Sequence, residues 1–137
     1  MLETTIEDIK DIQIPKVEDL RGNLAIVEGD SIPFEMKRVY YLYDVPSSAY
    51  RGGHAHRSLE QVMIALSGSF DVIFDDGKQK KTITLNKPDR GILIPPGIWR
   101  EMVNFSSGAV CMVIASEVYD EEDYIRAYSE FQSLKNT

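Results

Sequence analysis

From residue 12 onward the chain breaks into short runs rich in Val, Ile, Tyr and Phe, separated by Gly, Pro, Asn and Asp. Such runs, bounded by turn-forming residues, read as β-strands, and helical periodicity is absent until the end of the chain. The pattern predicts strands over Asn23–Val27, Lys37–Asp44, Gly52–His56, Gln61–Leu66, Ser69–Asp75, Lys80–Leu85, Gly91–Ile94, Arg100–Phe105 and Val110–Ser116. Asp75-Asp76-Gly77 and Ser67-Gly68-Ser69 supply hairpin turns and Lys87-Pro88-Asp89 a type I turn, so antiparallel hairpins dominate. After Tyr119 the pattern changes. Asp120 can cap a helix, acids fill its first turn, and Tyr124, Ile125, Tyr128 and Phe131 mark an apolar face. One C-terminal helix over 120–135 is predicted, with the acidic run as its solvated start. Residues 1–20 read as a strand with a proline-marked bend at Ile14-Pro15, an edge that needs cover and is therefore offered for exchange with another subunit.

Length and charge narrow the picture. A chain of 137 residues is one domain, 1–137, with room for one sizeable core. A net charge of -7, from 22 acidic and 15 basic residues, argues against nucleic acid and anionic membranes as partners. The one cysteine, Cys111, sits in the apolar run Ala-Val-Cys-Met-Val-Ile-Ala and reads as core filler. The N-terminus lacks a basic start followed by an apolar stretch, and no apolar run is long enough to span a bilayer, so a cytoplasmic protein is expected.

The chemistry concentrates in Arg51-Gly-Gly-His-Ala-His-Arg-Ser-Leu-Glu60, which holds both histidines of the chain. Side chains alternate along a strand, so His54 and His56 share a face, and Glu60 joins them if the strand continues without a bulge. Two imidazoles and a carboxylate can hold a metal, and two imidazoles alone can move protons near neutral pH. A His-x-His in a strand is ordinarily a solvated or hydrogen-bonded pair, and Glu60 is as easily an arginine's salt-bridge partner. The flanking Gly and Arg favour a site. Tyr40 and Tyr41 point opposite ways, one to packing and one to a pocket.

At this point the chain resembles the cupin superfamily of double-sheet jelly-roll barrels. His54, His56, Glu60 and Gly68 match its first signature, and Gly91, Pro95, Gly97 and Asn104 stand near the register of its second. The histidine of that second signature is replaced by Arg100. A guanidinium has no lone pair to give and stays charged, so it opposes a cation beside His54 and His56. The expectation is a metal-free, cofactor-free site whose imidazoles, with unperturbed pKa of about 6.5, work as acid and base for roughly 10² to 10⁴ in rate.

Four segments narrow the resemblance: Lys37-Arg-Val-Tyr-Tyr, Arg51 to Gln61, Pro96-Gly-Ile-Trp-Arg-Glu-Met, and Ala115 to Arg126. Together they are similar to the sugar 3,4-ketoisomerases that act on dTDP-4-keto-6-deoxy-D-glucose. The resemblance implies an all-β cupin dimer that moves a ketone from C4 to C3 of a nucleotide-linked deoxysugar, for later amination at C3. It assigns proton transfer to His54 and His56, oxygen-directed donors to Arg100, Tyr40 and Arg51, and diphosphate recognition to cations among Arg21, Lys37, Arg38, Arg51 and Arg57. Trp99 and the tyrosines are expected to flank thymine. Within that family Arg100 favours the gluco product, whereas Arg21 matches galacto-producing members. The rival readings are a 3,5-epimerase of the same substrate, a metal-dependent cupin, and a non-catalytic sugar-binding cupin.

Overall fold

Alternation along the apolar runs sorts their side chains onto two faces, and in the computed structural model, which describes residues 2–136, those faces close against each other. The strands in chain order are β1 (Lys10–Gln13), β2 (Lys16–Val17), β3 (Leu24–Ala25), β4 (Arg38–Leu42), β5 (Arg51–His56), β6 (Gln61–Ser67), β7 (Phe70–Asp75), β8 (Lys80–Leu85), β9 (Arg90–Ile94), β10 (Trp99–Val103), β11 (Val110–Ala115) and β12 (Tyr124–Ile125). One five-stranded sheet runs β1-β9-β6-β11-β4, the other β12-β5-β10-β7-β8, and β2 pairs with β3 in a small ribbon. This is the expected all-β, double-sheet jelly-roll barrel, with one short helix, α1 (Tyr128–Lys135), at its end.

Phe70, Val72 and Phe74 of β7 and Met63 and Ala65 of β6 point into the space between the sheets, with Met102, Cys111 and Val113. Each large apolar side chain so buried contributes about 1.5–3 kcal/mol relative to exposure. β6 reads as continuously apolar because its other face is covered too: Val62 and Ile64 pack with Ile14, Ile32 and Ile114 on the outside of the first sheet. Cys111 is in the core, where burial pushes its thiol up to about 12. The turn between β6 and β7 requires glycine: Gly68 has φ +66°, and a Cβ there would meet the Ser106 Oγ at 2.4 Å.

Two expectations are corrected. The helix begins at Tyr128, not at residue 120. Asp120 caps a single 3-10 turn, Glu121–Asp123, after which β12 pairs with β5 (Tyr124↔His56, Ile125↔Ala55). Ile125 then packs with Ala55, Trp99 and Phe131, burial that a helix start at 120 would forgo. The strand at Asn23–Val27 contracts to Leu24–Ala25, which has only β2 as a partner. Within residues 1–20, β1 pairs with β9 of the same chain, Lys10↔Leu93 through Gln13↔Arg90.

One irregularity positions the site. On β10, Arg100 and Met102 are two apart, whereas their partners on β5, His54 and Arg51, are three apart. The extra residue is a bulge, and Gly52 absorbs it at φ +90°. Bulges re-aim the side chains that follow them, and here His54 follows. No described helix is long and apolar enough to cross a membrane.

Candidate active site

The inward face of β4, the bulged start of β5 and the segment after β11 enclose a cavity of about 470 Å³. Arg38, Tyr40 and Leu42 line it from β4, Arg51 to His54 from β5, Met102 from β10, and Tyr119, Tyr124 and Arg126 from the last segment. In a chain of net negative charge, three guanidinium groups facing one cavity form a local positive field suited to an anionic ligand.

His54 reaches the cavity with its Nε2 buried and without a hydrogen-bond partner. Burial first, then the positive charge of Arg100 and the neighbouring His56, hold its pKa down to about 2, so it is neutral and carries a free lone pair. His56 shares that side of β5, its ring 4.8 Å from that of His54. The expected symmetry ends there. Tyr124 lies over His56 at 4.4 Å between ring centroids, leaving it 0 % exposed and absent from the cavity wall. Its Nδ1 is 3.0 Å from Asp123 Oδ2, while burial, then Arg100, Arg38 and Arg126, hold its pKa down to about 2. The Asp123 carboxylate is therefore a binding partner in the wall of the site, not part of a solvated helix start. Glu60 does not join the pair, because β5 ends at His56.

Arg100 pairs with His54 across β5 and β10 and is 1 % exposed. Its Nε and Nη2 donate to the Ile98 carbonyl at 3.3 and 3.2 Å, and Nη1 donates to Gln61 Oε1. Burial lowers its pKa to about 10, which leaves it charged at neutral pH. It was expected to bind substrate; it instead lies behind the cavity wall. Gln61 passes its other end to Tyr40, with Nε2 donating to the Tyr40 hydroxyl at 3.1 Å.

The remaining expected residues divide. Arg38 sits 4.9 Å from the Tyr40 ring centroid and donates to the Tyr124 hydroxyl, and Arg51 lines the cavity. Lys37 pairs with Glu117 and Arg57 with Glu130, both outside it. Arg21 is 90 % exposed in its side chain and bound to Asp19, away from its own chain's cavity. Trp99 is on the opposite face of β10, bonded to Glu101 and packed on Tyr128 and Phe131. Tyr41 is exposed, so Tyr40 is the pocket tyrosine and Tyr41 is not core. Sequence reasoning missed Gln61, Tyr119, Asp123, Tyr124 and Arg126; the last four lie in the stretch taken for a helix start and its approach.

Among the described residues, no group of three or more His, Cys, Asp or Glu side chains is placed to hold a metal ion. The arrangement can do proton transfer: a neutral imidazole and the Tyr40 phenol face one cavity whose charged groups are all cationic.

Residues 7–136 match the family model described as FdtA: WxcM-like, C-terminal. The chain is 50% identical over 124 residues, 90% of this chain and 89% of the relative, to TDP-4-oxo-6-deoxy-alpha-D-glucose-3,4-oxoisomerase of Aneurinibacillus thermoaerophilus. It superposes with a TM-score of 0.94 on a mutant of the 3,4-ketoisomerase QdtA of Thermoanaerobacterium thermosaccharolyticum, solved with TDP-4-keto-6-deoxyglucose, at 39% identity and covering 96% of each chain. It also matches the WlaRB TDP-quinovose 3,4-ketoisomerase of Campylobacter jejuni, with a TM-score of 0.88, 47% identity and coverage of 93% of this chain and 99% of that one.

Proposed function

This chain belongs to the FdtA family (WxcM-like, C-terminal), and on that premise we propose that it is an isomerase moving the ketone of dTDP-4-keto-6-deoxy-D-glucose from C4 to C3. The observation that carries the reading is the presence of His54 and Tyr40 together in the wall of one guanidinium-lined cavity. A proton at C3 is acidified by the C4 ketone, since its loss gives an enolate delocalised onto O4. His54 takes that proton, and Tyr40 supplies one to O4, giving the 3,4-enediol. Tyr40 then recovers the O3 proton while the His54 imidazolium returns its proton to C4, which yields the 3-ketone and restores both residues. His56, covered by Tyr124, supports His54 from behind instead of acting as the second station. A bound diphosphate offsets the positive charge that, after burial, holds His54 down, raising its basicity when substrate is present.

The reaction needs no ion or cofactor in this scheme, and Arg100 beneath the histidines opposes a cation there. Arg100, buried under the reacting pair, favours the gluco product over the surface-bound Arg21. A homodimer is supported by Val17, Leu20 and Leu24, apolar side chains left exposed on the β2–β3 ribbon. An exchanged N-terminal segment is the way Arg21 would meet a cavity, and sedimentation of wild type against Leu20→Asp tests the contact. A cytoplasmic location fits nucleotide-linked sugar chemistry.

Incubation with dTDP-4-keto-6-deoxyglucose in D₂O, followed by NMR of the sugar ring, tests the function. The His54 N–H exchanges with solvent while the enediol is bound, so the expected result is a 3-ketone with label at C4 and exchange at C3 of the substrate. Label at C5 with the ketone left at C4 would instead identify an epimerase.

A further inference from the structure

Gln61 is joined on one side to Arg100 and on the other to Tyr40, and its two ends are not interchangeable. Every polar atom of a guanidinium is a donor, so the Gln61 atom facing Arg100 Nη1 must be the carbonyl oxygen. That places the amide nitrogen toward Tyr40, at 3.1 Å from its hydroxyl. An amide N–H donates, so the Tyr40 oxygen accepts, and its own proton must point elsewhere. Among the described residues no protein acceptor meets it: the Arg38 guanidinium over that ring, 4.9 Å from its centroid, is itself only a donor. The open direction is the cavity shared with His54. Burial raises the Tyr40 pKa, with Arg100 opposing, so the phenol keeps its proton at neutral pH.

We propose that Gln61 is a positioning residue that converts the fixed donor geometry of Arg100 into a fixed direction for the Tyr40 O–H, aiming it into the cavity as the acid for O4 of the substrate. Arg100 thereby acts on the reaction through Gln61 and Tyr40. The proposal rests on the ketoisomerase reading for its consequence, but not for its geometry.

A purely structural role for Gln61 makes the opposite prediction for one substitution. In Gln61→Glu a carboxylate of the same shape still accepts from Arg100, now as an ion pair, and accepts from Tyr40. Packing and buried hydrogen bonds survive, but the Tyr40 proton turns away from the cavity. The expected result is a urea midpoint at or above wild type, a KM within about three-fold, and a kcat reduced by about 100-fold, the scale of a lost general acid. In a Tyr40→Phe background the same substitution should change kcat by less than about two-fold, because the two act in one chain. A folded Gln61→Glu enzyme with near wild-type kcat, or losses that multiply in the double variant, overturns the proposal. A neutron structure of the wild-type protein decides the geometry without any variant: the Tyr40 deuteron should point into the cavity, and a deuteron on the line to Gln61 overturns it. If wild type fails to isomerise the sugar, the functional reading falls while the neutron result still judges the hydrogen-bond direction.

Discussion

Asp123 Oδ2 binds His56 Nδ1 at 3.0 Å, while its Oδ1 takes both the backbone N–H and the hydroxyl of Ser58 at 2.8 Å. A carboxylate only accepts, so His56 is fixed with its proton on Nδ1 and its lone pair on Nε2. The same contact pins the segment that carries Tyr124 and Arg126 against the end of β5. Replacing Asp123 by Ala strands a buried imidazole N–H and the Ser58 donors, which costs about 1–3 kcal/mol for a buried group left unsatisfied. Urea unfolding at pH 7.5 measures this. A loss below about 0.5 kcal/mol would show that the contact does not hold the segment. In Asp123→Asn, ¹⁵N shifts of His56 should show a mixture of tautomers where wild type shows one.

Stability should fall with acid earlier than the carboxylates alone require. Both imidazoles are held at about 2 in the folded protein, against about 6.5 for an unfolded chain. Below pH 6.5 the unfolded state therefore binds protons that the folded state refuses. Their contribution is complete above that value and is lost progressively as pH falls from 6.5 toward 2. Near pH 5 the slope approaches about 1.4 kcal/mol per pH unit for each histidine. Urea midpoints from pH 7.5 to 5 in wild type and His54→Asn test it: the variant should lose about half of the slope. Equal slopes would mean that His54 titrates normally.

The two histidines should respond differently to the same substitution. His54 lines the cavity, so His54→Asn should lower kcat by roughly 10² to 10⁴, the range for a removed general base, while TDP binding and the urea midpoint stay near wild type. His56 is packed between Tyr124 and Asp123, so His56→Asn should lower stability as well as rate. Calorimetric TDP titrations beside unfolding curves separate the outcomes. A His54 variant with near wild-type turnover removes the proton-transfer scheme.

The barrel was legible because its strands follow a period of two between turn formers: β8 has the predicted bounds, Lys80–Leu85. The shared side of His54 and His56 followed from the same alternation. β12 was not legible, since two residues carry no period, and the acids before them imitate a helix start. What makes Tyr124–Ile125 a strand is pairing with β5, a contact between distant parts of the chain. The burial of His56 depends on that pairing and was hidden with it. Arg100 was expected to point inward and does, but its partner Gln61 comes from the other sheet, 39 residues away. Lys37 was named as a cation in or near a barrel strand, whereas alternation on β4 gives the cavity Arg38, Tyr40 and Leu42.

Arg126 stands 4.3 Å over the Tyr124 ring at the cavity rim, with its Nε and Nη2 on the two carboxylate oxygens of Glu121 at 2.6 and 2.8 Å. Glu121 also accepts from the Tyr119 hydroxyl, and together these partners hold its pKa down to about 2. Both members of the ion pair are more than half exposed, and such pairs contribute little to stability. A diphosphate entering the cavity offers the same guanidinium a stronger anion at little cost, so Glu121 competes with the ligand. Arg126→Ala should raise KM for the dTDP-sugar about ten-fold with kcat changed less than about three-fold, the pattern of lost uniform binding. Glu121→Gln should act in the opposite sense, tightening TDP by a few-fold in low salt. That gain should fade at 1 M salt, where charges beyond about 3 Å are screened. Isothermal titration of TDP at two salt concentrations checks both signs, and weaker binding by Glu121→Gln would show that the carboxylate orients Arg126 for the ligand instead of competing with it.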